Sequence, residues 1–169
     1  MNIYPQYSYR DVTDIDIHVF EGKKLLLFDI DNTLFYSETT NIRKDILLWF
    51  KKIPKKYKVV CFSNSFSIDT RRAKIQEILG CEVYKSNERK PSKKLFQEIT
   101  THYRVSARNV VVIGDFHFTD VLFANRNHAT SILVRPIGRE GTLLLSFIRI
   151  FENFVLFILE FLSPFFTKH

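Results

Sequence analysis

Cysteine is scarce in this chain, with two among 169 residues. So few thiols argue for a reducing compartment and against a disulfide framework. Cys61 lies inside an apolar run and Cys81 follows Gly80, so both read as small buried hydrophobes rather than a disulfide or metal pair. An apolar N-terminal segment is also missing, which leaves no secretory signal to expect. Asp11, Asp14 and Asp16 are equally wrong for a cleaved transit peptide. The most apolar stretch, toward the C-terminus, is broken by Arg149, Glu152, Asn153 and Glu160, so it lacks the uninterrupted run of a spanning helix. Basic residues do not interleave with aromatics in any usual base-stacking pattern, and nucleic acid is not an expected partner. Apolar residues are not in short supply. They make up 46% of the chain, which excludes a disordered polymer and allows one domain with a sizeable core and a short appendage. The net charge of +7 implies attraction to something anionic, whether nucleic acid, an acidic membrane surface or a phosphorylated substrate, without choosing among them.

Short apolar, β-branched runs alternate with amphipathic stretches. Residues 25–30, 59–62, 110–113 and 131–134 read as core strands, with 82–84 as a weaker fifth. Residues 43–52, 69–79, 92–103 and about 119–127 read as helices, with Gly80 as a C-cap and Pro91 just inside a helix start. Alternating strands and helices predict an α/β fold: a Rossmann-like, doubly wound parallel sheet covered on both faces. Ligands in such sheets bind beyond the carboxyl ends of the strands.

Polar residues gather where these strands end. Asp29 and Asp31 close the first run, Ser63 and Asn64 the second, and Gly114 and Asp115 the third, while Lys90 precedes the helix after the weak strand. Residues i and i+2 of a strand point the same way, so Asp29 and Asp31 converge, and two like charges that close call for a cation. Oxygen-only ligands favour Mg²⁺, which keeps several waters and takes one or two carboxylates plus a substrate phosphate. The pattern points to phosphoryl transfer. Asp29 is the expected nucleophile and Asp31 the expected acid and base. Ser63 and Lys90 would hold the transferring group, Asp115 would add a metal oxygen, and Asp120 would bind or orient the metal's surroundings. Each residue has a bland alternative: an Asx turn for the D-x-D, a helix N-cap for Ser63, solvated surface for Lys90, a turn for Asp115. Their convergence on one rim is what favours a site.

The segments Asp29-Ile-Asp31-Asn32-Thr33-Leu34, Ser63-Asn64, Lys90-Pro91 and Gly114-Asp115-Phe-His-Phe-Thr119-Asp120 resemble the four motifs of the haloacid dehalogenase superfamily of phosphatases. Gly114 to Asn127, followed by Ser131-Ile-Leu-Val-Arg-Pro136, is similar to the subfamily IIIA group that includes phosphatidylglycerophosphate phosphatases, as is the lead-in from Val12 to Gly22. The resemblance covers about residues 4–140. It implies an aspartyl-phosphate intermediate on Asp29, a phosphatase-type Asp at position 31, and Mg²⁺ held by Asp29, Asp31, Asp115 and Asp120. Phe116-His117 departs from the group's usual Gln and apolar residue without touching those positions.

Many relatives carry a cap domain, and the gaps between these motifs leave no room for one. An open site suits a large or surface-embedded substrate, and it gives up the water exclusion of a closing lid. The expected division is a capless catalytic domain over 1–141 and an apolar docking segment over 142–169. At 100° per residue, Ser146, Arg149, Glu152, Asn153 and Glu160 fall on one stripe with apolar residues around the rest, as in a helix lying in a membrane interface. A helix packed on a protein partner or on the domain itself reads the same way. Asn64 is expected to bind substrate, with Arg135 and Arg139, between rim and tail, placed for anionic headgroups. The expected substrate is a phospholipid, phosphatidylglycerophosphate, met on the cytoplasmic or organelle-matrix face of an intracellular membrane. A phosphoprotein, nucleic-acid end or soluble metabolite, or a role as a subunit of a larger assembly, are the competing expectations.

Overall fold

The computed structural model describes residues 2–166, and the side chains of all of these except 144, 159, 160 and 162–166. Strands β1 (Tyr7–Tyr9), β2 (Leu25–Asp29), β3 (Lys58–Phe62), β4 (Glu82–Val83), β5 (Val110–Gly114) and β6 (Thr130–Val134) form a single sheet. Their order is β1-β6-β5-β2-β3-β4, and every neighbouring pair is parallel. The helices α1 (Lys44–Phe50), α2 (Ile68–Leu79), α3 (Lys93–His102) and α4 (Leu122–Asn125) connect them, and α5 (Leu143–Phe166) follows the sheet. One compact unit ends at Arg139 and a second begins at Glu140.

The central strands are apolar throughout because both faces are covered. Alternation along β2 sends Leu26 and Phe28 to one face, where they pack with Ile46, Phe50, Ile75 and Ile113. Leu25 and Leu27 go to the other face, with Leu95, Phe96, Ile99 and Phe123. From β2 the chain moves outward to β3 and β4, then returns across β2 to β5 and β6. Its direction thus reverses beside β2, and the crevice at that reversal is where a parallel sheet offers its binding site. Only α1 lies between β2 and β3, and α2, β4, α3 and a three-residue 3₁₀ turn (Ala107–Asn109) lie between β3 and β5, so neither gap holds a further folded unit.

Three local features differ from the sequence expectation. β1 pairs with β6 as a sixth, edge strand, although Tyr-Ser-Tyr shows no apolar alternation; an edge strand with exposed residues has no need of it. The helix expected near 119–127 is a π-turn over His117–Val121 running into the four residues of α4. Helix α3 begins at Lys93, capped by Ser92, whose hydroxyl accepts from the Leu95 amide at 3.4 Å; Pro91 stands before the helix, in a cis peptide bond with Lys90.

Among the described residues no helix is long and apolar enough to cross a membrane. Along α5, Phe147 is 68% exposed, Phe154 58% and Phe157 65%, whereas Glu152 is 1% exposed. Arg149 donates to Glu140 at 2.7 Å and lies 3.9 Å from Glu152. Of the predicted polar stripe, the side chain of Glu160 lies outside the described residues.

Gly80 ends α2 in the left-handed region at φ 67°, with open space where a Cβ would stand. Gly80→Ala should therefore cost backbone strain alone, about 1 kcal/mol. Urea unfolding followed by circular dichroism should show a lower midpoint with an unchanged slope.

Candidate active site

Asp29 is the last residue of β2, Ser63 and Asn64 follow β3, Lys90 follows β4 and Asp115 follows β5. The parallel sheet therefore delivers all of them to the same rim. Lys90 is only 5% exposed. Its ammonium donates to Asp29 Oδ1 and, at 2.6 Å, to Asp120 Oδ1, and lies 4.4 Å from the centre of the Phe62 ring. Asn64 fixes this lysine in place. Its Oδ1 accepts from the Lys90 amide at 2.8 Å, and its Nδ2 donates to the Lys90 carbonyl at 2.9 Å. The amide that the sequence assigned to substrate is thus committed at both ends to the main chain of Lys90.

Asp29, Asp115 and Asp120, all buried, bring carboxylate oxygens within 4.8 Å of one another. The π-turn carries Asp120 inward, and its Oδ2 accepts from the Phe116 amide at 3.1 Å. Gly114 makes that approach possible, since a Cβ there would come within 2.2 Å of Asp120 Cγ. Three carboxylates against one ammonium leave two negative charges closed off from water. Burial, only partly offset by Lys90 and reinforced by Asp120, Asp115 and Asp31, raises the Asp29 pKa well above its ordinary 3.8. Burial works against the charge on Lys90, but Asp120 and Asp29 outweigh it and hold that pKa above an ordinary lysine's. A hard divalent cation matches this excess: it would cancel the residual charge with oxygen ligands only. Asp29, Asp115 and Asp120 are the residues that would hold it.

The side chain of Asp31 is not part of that trio. β2 ends at Asp29, and the chain then folds into a turn in which Leu34 and Phe35 donate to the Ile30 carbonyl and Asn32 has φ 59°. Strand alternation ceases there, so the i, i+2 rule behind the expected carboxylate pair does not reach Asp31. Its Oδ2 accepts from Ser63 Oγ at 2.8 Å, and its Oδ1 from the Glu38 amide at 2.8 Å. Arg71 of α2, unforeseen in the sequence, spans both oxygens at 3.0 and 3.1 Å. Glu38 and Thr33 were missed as well. Thr33 Oγ1 donates to Asp115 Oδ1 at 3.4 Å. The adjacency of Arg71 and Arg72 on an amphipathic helix gave no sign that one of them is buried.

Arg135 lies outside this cluster, lining a separate pocket with Arg10, Asp11 and Arg43, and Arg139 is exposed. His117, the departure noted in the sequence, places Nδ1 3.1 Å from the Ile3 carbonyl and so fastens the N-terminal segment.

With this geometry in place, comparison with known proteins identifies the family. The family model described as mitochondrial PGP phosphatase matches residues 1–137. The chain belongs to that family. It is a phosphatase with a haloacid dehalogenase-type core. The probable phosphatase YqeG of Bacillus subtilis is 34% identical over 140 residues, covering 81% of this chain and 78% of its own. Phosphatidylglycerophosphate phosphatase 1, chloroplastic/mitochondrial, of Arabidopsis thaliana is 25% identical over 147 residues, covering 81% of this chain and 42% of its own length. The chain therefore spans less than half the length of that plant relative. Among solved structures, an uncharacterized protein from Listeria monocytogenes serotype 4b aligns with a TM-score of 0.55 at 18% identity, over 70% of this chain and 84% of its own. A haloacid dehalogenase-like family hydrolase from Xanthomonas campestris gives 0.51 at 12%, over 71% and 86%. These two show the shared fold.

Because burial raises the Asp29 pKa, its contribution to folding is fully present below 3.8 and is lost as pH rises through the elevated folded value. Without divalent ions, Asp29→Asn should melt above the wild type at neutral pH, and the gap should close toward the ordinary carboxylate range. Millimolar Mg²⁺ should stabilise the wild type and leave the variant nearly unmoved. Differential scanning fluorimetry across pH, with and without Mg²⁺, reads both effects.

Proposed function

We propose that this PGP phosphatase-family protein is a Mg²⁺-dependent phosphomonoesterase that works through an aspartyl-phosphate on Asp29 and hydrolyses phosphatidylglycerophosphate at a membrane surface. The observation that carries the reading is the buried Asp29–Asp115–Asp120 trio with Lys90 donating into it at the carboxyl edge of the sheet. An Asp29 oxygen bonds to phosphorus as the bond to the leaving glycerol oxygen breaks, and Asp31 supplies that oxygen's proton. Asp31 then takes a proton from water, whose oxygen displaces Asp29 from phosphorus and releases inorganic phosphate. Lys90 and the Ser63 hydroxyl stabilise the charge on the non-bridging oxygens. When bound by the trio, Mg²⁺ supplies a Lewis acid and neutralises the residual carboxylate charge.

The lipid substrate is supported by the family match over residues 1–137 and by the similarity to the plant phosphatidylglycerophosphate phosphatase. The same names support action at an organelle membrane. An uncapped site and the exposed phenylalanines of α5 suit a substrate held in a bilayer, with α5 lying in the interface. Arg135 and Arg139 stand on the stretch leading to α5, where basic residues attract anionic headgroups.

Vesicles containing phosphatidylglycerophosphate, assayed for phosphate release with Mg²⁺, test the reading. Asp29→Asn should lower turnover at least about a thousandfold, while Lys55→Ala, at the opposite edge of the sheet, should leave it unchanged. Undiminished release by Asp29→Asn would refute the mechanism. Removal of the residues after Gly141 should preserve p-nitrophenyl phosphate hydrolysis and lower vesicle binding about tenfold, more so on anionic vesicles. Full lipid turnover by the truncated chain would instead assign α5 to a protein partner.

A further inference from the structure

Arg71 is a buried guanidinium next to a reacting group, and all of its donors are used. A guanidinium has five N–H bonds in a rigid planar fork. Nε donates to Ser67 Oγ at 3.0 Å. Nη1 donates to Asp31 Oδ1 at 3.0 Å and to the Thr39 carbonyl at 2.8 Å. Nη2 donates to Asp31 Oδ2 at 3.1 Å and to Ser65 Oγ at 3.2 Å. These acceptors come from two loops on either side of Asp31, the one after β2 and the one after β3. Glu38 ties the same loops together: its amide donates to Asp31, and its carboxylate accepts from Ser65, at 2.8 Å, and from Ser67. Each Asp31 oxygen therefore receives two hydrogen bonds, three of the four from the Arg71 fork and the Glu38 main chain and the fourth from the rotatable Ser63 hydroxyl.

We infer that Arg71 is the positioning residue for Asp31, the fork that keeps its carboxylate turned toward the reacting phosphorus through both halves of the reaction. This rests on the proposed function. The fourth donor, the Ser63 hydroxyl, is the exchangeable one. When a phosphoryl oxygen takes that hydrogen bond, Oδ2 is freed on one side for the leaving oxygen or the attacking water, while Arg71 and the Glu38 amide go on holding the group. During hydrolysis of the intermediate, one water proton passes to Oδ2, the water oxygen bonds to phosphorus, and the bond to Asp29 breaks. A carboxylate without the fork would rotate on its χ2 axis and lose the line between water and phosphorus. A misplacement of about 1 Å in such a step costs on the order of a hundredfold in rate. A lysine supplies a point charge and cannot span both oxygens, so the role calls for arginine.

The test uses the full-length protein, Mg²⁺ and p-nitrophenyl phosphate, whose good leaving group needs little acid assistance. Arg71→Ala should lower kcat about a hundredfold with KM within about threefold, and acid quenching should trap a larger fraction of phosphoenzyme, because hydrolysis is the step that needs an oriented base. Millimolar guanidinium should restore part of the kcat of Arg71→Ala and none of that of Asp31→Asn. Arg71→Lys should lose about tenfold and accumulate phosphoenzyme too, and it carries the comparison if Arg71→Ala fails to fold. Either variant folded with wild-type kcat, or a fall in kcat without phosphoenzyme accumulation and without guanidinium rescue, would overturn the assignment. Absence of trapped phosphoenzyme in both wild type and Asp31→Asn would overturn the aspartyl-phosphate reading beneath it, a result distinct from failure at Arg71 alone.

Discussion

The contact of Lys90 with Asp29 and Asp120 is the constraint around which the rest of the rim is arranged. Charges taken out of water at this depth are tolerable only when paired and hydrogen-bonded, and here one cation faces three anions. The neighbouring residues serve that imbalance. Asn64 clamps the lysine's main chain from both sides, the ring of Phe62 lies beneath its ammonium, and the absent side chain of Gly114 lets Asp120 close in. The excess negative charge also makes the site one that a divalent cation would suit. A small, hard, doubly charged ion relieves it, and a phosphoryl group approaching alone would aggravate it, so metal and substrate should favour one another's binding.

Much of this architecture was legible in the chain. Strands β2, β3, β5 and β6 announced themselves as apolar runs because burial on two faces leaves few polar positions to confuse the pattern. Asp29, Lys90 and Asp115 were legible for the same reason: each stands where such a run ends or where the next helix is about to begin. β1 was not, since Tyr7 and Ser8 are exposed and its partner lies far along the chain. The orientation of Asp31 escaped because it depends on a turn geometry just beyond the strand, where Asn32 adopts a positive φ. Arg71 escaped because it stands beside Arg72 in a polar stretch of α2, and its key acceptors, the Thr39 carbonyl and Asp31, lie 32 and 40 residues earlier in the sequence.

The connections between motifs are as informative as the motifs. With no inserted lid in either gap, the catalytic unit relies on charges held rigid by the fold instead of on a cover inserted between its motifs. The polar side chains of α5 fit the same scheme. Arg149 pairs with Glu140 and lies near Glu152, while Phe147, Phe154 and Phe157 are exposed.

The placement of β1 has a consequence for how the molecule is made. The first strand of the chain closes the sheet against the last, and the Gln6 amide donates to the Ser131 hydroxyl across 125 residues. β1 precedes the strand it pairs with by the whole of the rest of the sheet, so it has no partner until β6 is in place. Pairings of such sequence separation are slow to form, so closure of β1 on β6 is expected late in folding. Until that happens the edge of β6 stands open, and the nascent protein is at its most vulnerable to pairing with a neighbour.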